Sequence, residues 1–61
     1  MKRREFIREL EQAGCELTRT KGGHDMYYNP GTGRSAPVPR HTELDNSLCN
    51  IIRKQLGLNR E

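Results

Sequence analysis

The sequence predicts an α+β fold in the order αβββα, a three-stranded antiparallel sheet with both helices on one face. Two observations carry that prediction: apolar residues recur at helical spacing near both ends of the chain, and the middle alternates in polarity between clusters of turn formers. At 61 residues, 31% of them hydrophobic, the chain is a single domain over 1–61. It lies near the lower size at which a chain folds without a disulfide, metal or partner. The core is therefore thin, and no deep enclosed pocket is expected.

From Lys2 to Ala13, Phe6, Ile7, Leu10 and Ala13 share one helical face, and Gly14 stands where a C-terminal cap belongs. Cys15 to Thr20 then alternates as a first strand, Cys15 and Leu17 on one face and Glu16, Thr18 and Thr20 on the other, before Lys21-Gly22-Gly23 turns the chain. His24 to Asn29 alternates again, with Asp25 and Tyr27 on one face and His24, Met26 and Tyr28 on the other. Asn29-Pro30-Gly31-Thr32-Gly33 is dense in turn residues and closes a hairpin into Arg34 to Pro39. Pro37 cannot donate to a ladder, which confines this third strand to a sheet edge. After Arg40-His41-Thr42-Glu43, a second helix carries the stripe Leu44, Leu48, Ile51, Ile52 and Leu56; Asp45 or Asn46 caps its start, and Gly57-Leu58 fits a Schellman stop.

The net charge of +3 is unevenly spread. Residues 1–18 carry four bases against four acids, and 42–61 carry three against three, Arg60 among them. The whole excess lies in 19–41, where Arg19, Lys21, Arg34 and Arg40 face Asp25 alone and where both histidines fall. A cationic surface of this kind attracts phosphates, the alternative being an ordinary solvated face. Cys15 and Cys49 read as reduced, partly buried thiols, and with no apolar leader or membrane-length run the chain is expected in the cytoplasm. Cys15, His24, His41 and Cys49 include no closely spaced ligand pair, so neither zinc nor any other metal or cofactor is expected.

His24 is the most informative residue. It follows Lys21-Gly22-Gly23, where glycines allow a sharp turn or a close approach to ligand, so a proton-exchanging group stands at a turn-to-strand junction beside a cation. Asp25 is its neighbour in sequence but points to the opposite face of a strand, which argues against a dyad.

Lys21-Gly22-Gly23-His24-Asp25-Met26-Tyr27, Val38-Pro39-Arg40-His41, and Ser47-Leu48 with Ile51-Ile52-Arg53-Lys54-Gln55-Leu56-Gly57-Leu58 together resemble the HicA (YcfA-like) toxins over essentially the whole chain. The family pattern is a glycine step before a histidine, an aromatic three residues beyond it, a Val-Pro pair and a closing helix that ends in Gly-Leu. The chain departs from it at Asn46-Ser47-Leu48, where many members have Gly-Thr-Leu, and at Pro37, usually a β-branched or apolar residue. The resemblance implies a fold similar to double-stranded-RNA-binding domains and ribonuclease activity against messenger RNA. It further implies neutralisation by a HicB-type antitoxin, through which any oligomer would form. By position, the family's catalytic histidine falls on His24, its glycine step on Gly22-Gly23 and its aromatic on Tyr27.

The residues suit such chemistry. RNA is cleaved without metal when its 2′-hydroxyl loses a proton and attacks the neighbouring phosphate, and an imidazole is a competent base near neutrality. Arg19, Lys21 or Arg34 would stabilise the charge that grows on phosphorus-bound oxygens. His41 or water would protonate the leaving oxygen, although no spacing places His41 beside His24. Tyr27 reads as a core aromatic, and Tyr28, of opposite parity, as the tyrosine available to stack on RNA. Two other functions compete: a noncatalytic double-stranded-RNA-binding module, disfavoured by Glu43 and Asp45 at the start of the last helix, and a pure protein-interaction module.

Overall fold

Alternating segments too short to bury two faces form the middle of the chain, and an amphipathic helix closes each end over one side of them. The computed structural model describes residues 1–58 and places α1 at Arg3–Gln12, β1 at Glu16–Lys21, β2 at His24–Asn29, β3 at Arg34–Pro39 and α2 at Asn46–Gln55. Arg60 and the end of the expected 1–61 domain lie outside the described residues. The strands form one antiparallel sheet in the order β1-β2-β3.

The core is one cluster on one side of this sheet. Phe6 and Leu10 from α1, and Cys49, Ile52 and Leu56 from α2 and its end, pack with Leu44 against Tyr27, Ala36 and Val38, while Cys15 closes the cluster beside α1. The expected fold is thus present, with three local differences. Ile51 is 52% exposed and Cys49 takes the place it was expected to fill, because Ile51 lies about 100° round the helix from Ile52 and faces solvent. Ala13 is likewise exposed, at the C-cap of α1. Leu17, placed by alternation on one face with Cys15, is 52% exposed while Cys15 is buried, because β1 is an edge strand beyond the cover of the helices.

Both helices stop in the way their glycines suggest. Gly14 takes φ +93°, with the Cys15 N–H donating to the Leu10 carbonyl at 2.9 Å, and Gly57 takes φ +75°, with the Leu58 N–H donating to the Arg53 carbonyl at 2.8 Å. Each is the long bond of a Schellman motif. Asp45 occupies the N-cap of α2, but its side chain makes no capping hydrogen bond.

Polar contacts tie the layers together. Asn29, buried at the end of β2, donates to the Leu56 carbonyl at 2.8 Å and accepts from the Gly31 N–H at 2.9 Å, so one amide both shapes the β2–β3 turn and docks the end of α2. Arg53 joins the helices, donating to both carboxylate oxygens of Glu9 at 2.6 and 2.9 Å with its guanidinium 5.3 Å from the Phe6 ring centre. The buried Asp25 carboxylate accepts from Thr20 at 2.7 Å and from Arg3 at 2.6 Å, while Arg3 also donates to the Pro39 carbonyl at 2.8 Å.

Pro37 and Pro39 lie two residues apart on β3, opposite Met26 and His24. They therefore share a parity, and with no N–H to give they occupy ladder positions that need none from β2. This edge is closed to further strand pairing. Cys15 and Cys49 are both free and buried, and burial pushes both thiols up. Among the described residues no helix is long and apolar enough to cross a membrane.

Two carboxylates link the stability of the fold to acid pH. The Thr20 hydroxyl, with the Arg3 and Arg40 cations, holds Asp25 below the ordinary aspartate value, and the Arg53 hydrogen bond does the same for Glu9. A group depressed in the folded state contributes stability that is present above its unfolded pKa, about 4, and is lost as pH falls through the lower folded value. Denaturation midpoints should accordingly fall on acidification below about pH 4. Asp25→Asn combined with Glu9→Gln should flatten that fall, and an unchanged acid profile would show that these pairs do not govern it.

Candidate functional site

The residues singled out in the sequence do not form one patch. Lys21 stands directly across from His24 and Arg19 across from Met26 in the β1–β2 register, whereas Arg34 stands across from Asn29. Cross-strand partners point to the same side of a sheet, so Arg34 emerges on the helix-bearing side, at the other end of β2 and roughly 16 Å along the strand from His24. Arg40 turns toward Asp25, its guanidinium 3.9 Å from the carboxylate. The central charge excess is therefore divided, and Arg19 and Lys21 are the cations it leaves beside His24.

A β-bulge brings them there. The register shifts between Leu17 and Arg19, leaving Thr18 without a partner across the ladder, and its hydroxyl donates to the Met26 carbonyl at 3.1 Å. Strict alternation puts Arg19 on the face of Leu17 and Thr20 on the other. The extra residue reverses this, so Thr20 turns inward to Asp25 and Arg19 and Lys21 turn outward. Alternation read from sequence cannot find that reversal, because no residue in Glu16–Lys21 has the φ > 0 requirement or the glycine that marks some bulges.

The turn that presents His24 is more legible. Gly22 and Gly23 take φ +60° and +80°, the two positive values that a two-residue type I′ hairpin demands. The turn also brings the Gly22 carbonyl within 3.2 Å of His24 Nδ1. A carbonyl only accepts, so in this contact Nδ1 carries the hydrogen, and in the neutral ring the lone pair is then on Nε2. The imidazole is exposed and Asp25 lies on the far side of the sheet, which removes a His-Asp dyad as the expected alternation required.

Arg19, Lys21, His24, Met26 and Pro37 line one open depression of about 310 Å³ on the side of the sheet that carries no helix. Its floor is Met26 and Pro37, paired across β2 and β3, and its rim is cationic on the β1 side. Tyr28 continues the same face two residues beyond Met26, half-buried, with Glu16 and Ser35 as its partners. Tyr27 faces the core at 4% exposure. His41 lines a different depression with Glu43 and Asp45, and so does not join His24. Met26 and Pro37 were absent from the sequence-derived site, since neither carries a charge or a proton. Among the described residues no group of His, Cys, Asp and Glu could hold a metal ion.

This arrangement joins an imidazole, two exposed cations and a floor of Met26 and Pro37 in a place open to solvent. A depression this open does not enclose a small molecule, and its charge suits an anionic group. In comparisons with known proteins, the family model described as HicA toxin of bacterial toxin-antitoxin matches residues 3–58. No curated protein and no solved structure matches the chain.

The hairpin glycines provide a direct test of the site's scaffold. A Cβ at Gly23 would meet no atom within 4 Å, so the cost of Gly23→Ala is conformational, about 1–2 kcal/mol for left-handed backbone. Gly23→Asn should recover part of that loss in denaturant unfolding, because asparagine tolerates the conformation. Equal stability of Gly23→Ala and the parent would contradict the type I′ turn.

Proposed function

The chain belongs to the HicA toxin family of bacterial toxin-antitoxin systems, and we propose that it is a metal-independent endoribonuclease toxin in which His24 is the catalytic base. The supporting observation is the contact of His24 Nδ1 with the Gly22 carbonyl, which leaves Nε2 free at the edge of a cationic depression.

In the proposed reaction, messenger RNA lies across this depression with the 2′-hydroxyl of one nucleotide against Nε2. The nitrogen takes the hydroxyl proton, the 2′-oxygen bonds to phosphorus, and the 5′-oxygen of the next nucleotide leaves. The products are a 2′,3′-cyclic phosphate and a 5′-hydroxyl end. Lys21, cross-strand from His24, and Arg19 beside it hold the phosphate and oppose the charge that accumulates on its free oxygens. The leaving oxygen is on the far side of phosphorus in an in-line displacement. His41 lies in another depression, so solvent water at this open site supplies the proton.

Family membership implies an antitoxin partner. Among the described residues the helices and the turn between β2 and β3 lie away from His24, and the partner is proposed to be a HicB-type protein that covers the open face and sets acidic or polar groups among Lys21 and Arg19. A noncatalytic duplex-binding role finds less support. The approach to α2 carries Glu43, paired with Lys2 at 3.8 Å, and Asp45, which oppose phosphate where such modules present lysines.

His24→Ala should lower RNA cleavage by about 10²–10⁴-fold and abolish growth inhibition while the protein stays folded. A 2′-deoxy substitution at the scissile nucleotide should block cutting entirely. Undiminished cleavage in either experiment would remove the mechanism. RNA affinity should fall steeply with salt, and Lys21→Ala or Arg19→Ala should flatten that slope by about one unit each, more than Arg34→Ala at the distant end of the sheet. On adding the antitoxin, amide exchange should slow across Gly22 to Tyr28; a tight inhibitory complex without that protection would place inhibition elsewhere.

A further inference from the structure

Alternate residues of β2 rise through the uncovered face as a row: His24, Met26 and Tyr28 stand roughly 6.6 Å apart, the scale of one nucleotide step in an unstacked strand. The row is asymmetric across the sheet. On the β1 side His24 and Met26 are flanked by Lys21 and Arg19, and on the β3 side Met26 is flanked by Pro37. We propose, on the reading that this protein cuts RNA, that the open face is a subsite for two successive unpaired bases. One is seated on the Met26–Pro37 floor beside His24 and the next is stacked on Tyr28, so that β2 sets the path of a single-stranded substrate.

The chemistry divides along the same line. Phosphates follow the cationic β1 side, and bases lie toward β3 over a thioether, a proline ring and a phenol. Methionine sulfur is polarizable and favours aromatic partners, and tyrosine offers a stacking surface to any base. Glu16, across from Tyr28, ends the cationic track, so a third phosphate there meets repulsion and the footprint stops at Tyr28.

A duplex cannot use this surface. Its bases are stacked inside, and its shallow groove presents sugars and base edges rather than base faces. The attacking 2′-oxygen must also swing into line with the leaving oxygen, which a nucleotide held in a regular helix does not allow. The αβββα order thus serves a substrate unlike the one that duplex-binding domains of similar element order take.

The proposal is tested on the whole protein with an uncleavable probe, a single-stranded 2′-O-methyl oligonucleotide carrying one 4-thiouridine, and a hairpin of the same composition. Photocross-links should map to Met26 or Tyr28, and the single strand should bind at least about tenfold tighter than the hairpin. For cleavage of single-stranded RNA, Tyr28→Ala should raise KM between about five- and a hundred-fold with kcat largely kept, and Tyr28→Phe should restore it. Cross-links confined to α1 or α2, equal affinity for the hairpin, or an unchanged KM in Tyr28→Ala would overturn the subsite. Loss of antitoxin binding in Tyr28→Ala with KM unchanged would assign the face to the protein partner and overturn it as well. The probe is never cut, so cross-linking at Tyr28 by a protein that cleaves no RNA would remove the nuclease reading and leave the subsite standing. Cleavage without such cross-links would do the reverse.

Discussion

One buried carboxylate fixes the geometry on which both faces of the sheet depend. Asp25 gathers the Thr20 hydroxyl from β1 and the Arg3 guanidinium from α1, and the same guanidinium reaches the Pro39 carbonyl at the end of β3. A charge with 6% exposure is tolerable only while it is paired, so a rearrangement that strands Asp25 is strongly disfavoured. That constraint also orients its neighbour. A slip of one residue in β2 would exchange the two faces, and with Asp25 held toward the helices His24 must point away from them. Asp25, the sequence neighbour of His24, is thereby what aims it.

The second constraint is the extra residue in β1. With Thr18 outside the ladder, Thr20 is delivered to Asp25 and Arg19 and Lys21 to His24, so one backbone irregularity completes the structural cluster on one face and the cationic rim on the other. Bulges twist and locally weaken an edge, and here β1 is exposed along its whole length. The opposite edge is protected differently, by Pro37 and Pro39 without N–H groups to offer. The edge that builds the site is thus the strand with least packing.

Much of the architecture was legible because its signals are local. Hydrophobic period, the glycines at 14 and 57, the Gly22-Gly23 pair and the Asn29-to-Gly33 turn each act within a few residues, and the structure follows them. The misreadings concern rotation and reach. Ile51 belongs to an apolar pattern but not to the buried arc centred on Cys49, Ile52 and Leu56, and Leu17 alternates correctly on a strand no helix covers. At the site, His24 and its glycine turn could be singled out from sequence, whereas the companions could not. Arg34 shares the charged segment with Lys21 and yet starts from the other side of the sheet, because segment charge is one-dimensional and a hairpin turns it into two faces. Met26 and Pro37 become a floor only once β2 and β3 are in register.

A core this thin explains why the candidate site lies where it does. Both helices are consumed in covering one side of the sheet, joined to each other by Arg53 and Glu9 and to the strands by Asn29 and Arg3. Neither helix is left to form a lid, and the depression at His24 stays open. On the proposed reading a long polymer suits such a place, since affinity can be collected over several nucleotides rather than from enclosure. The same openness bears on control. On the proposed reading a regulator reaches the exposed His24 directly, and antitoxin and RNA exclude each other by sharing Lys21, His24 and Tyr28, with the outcome set by their relative affinities and concentrations.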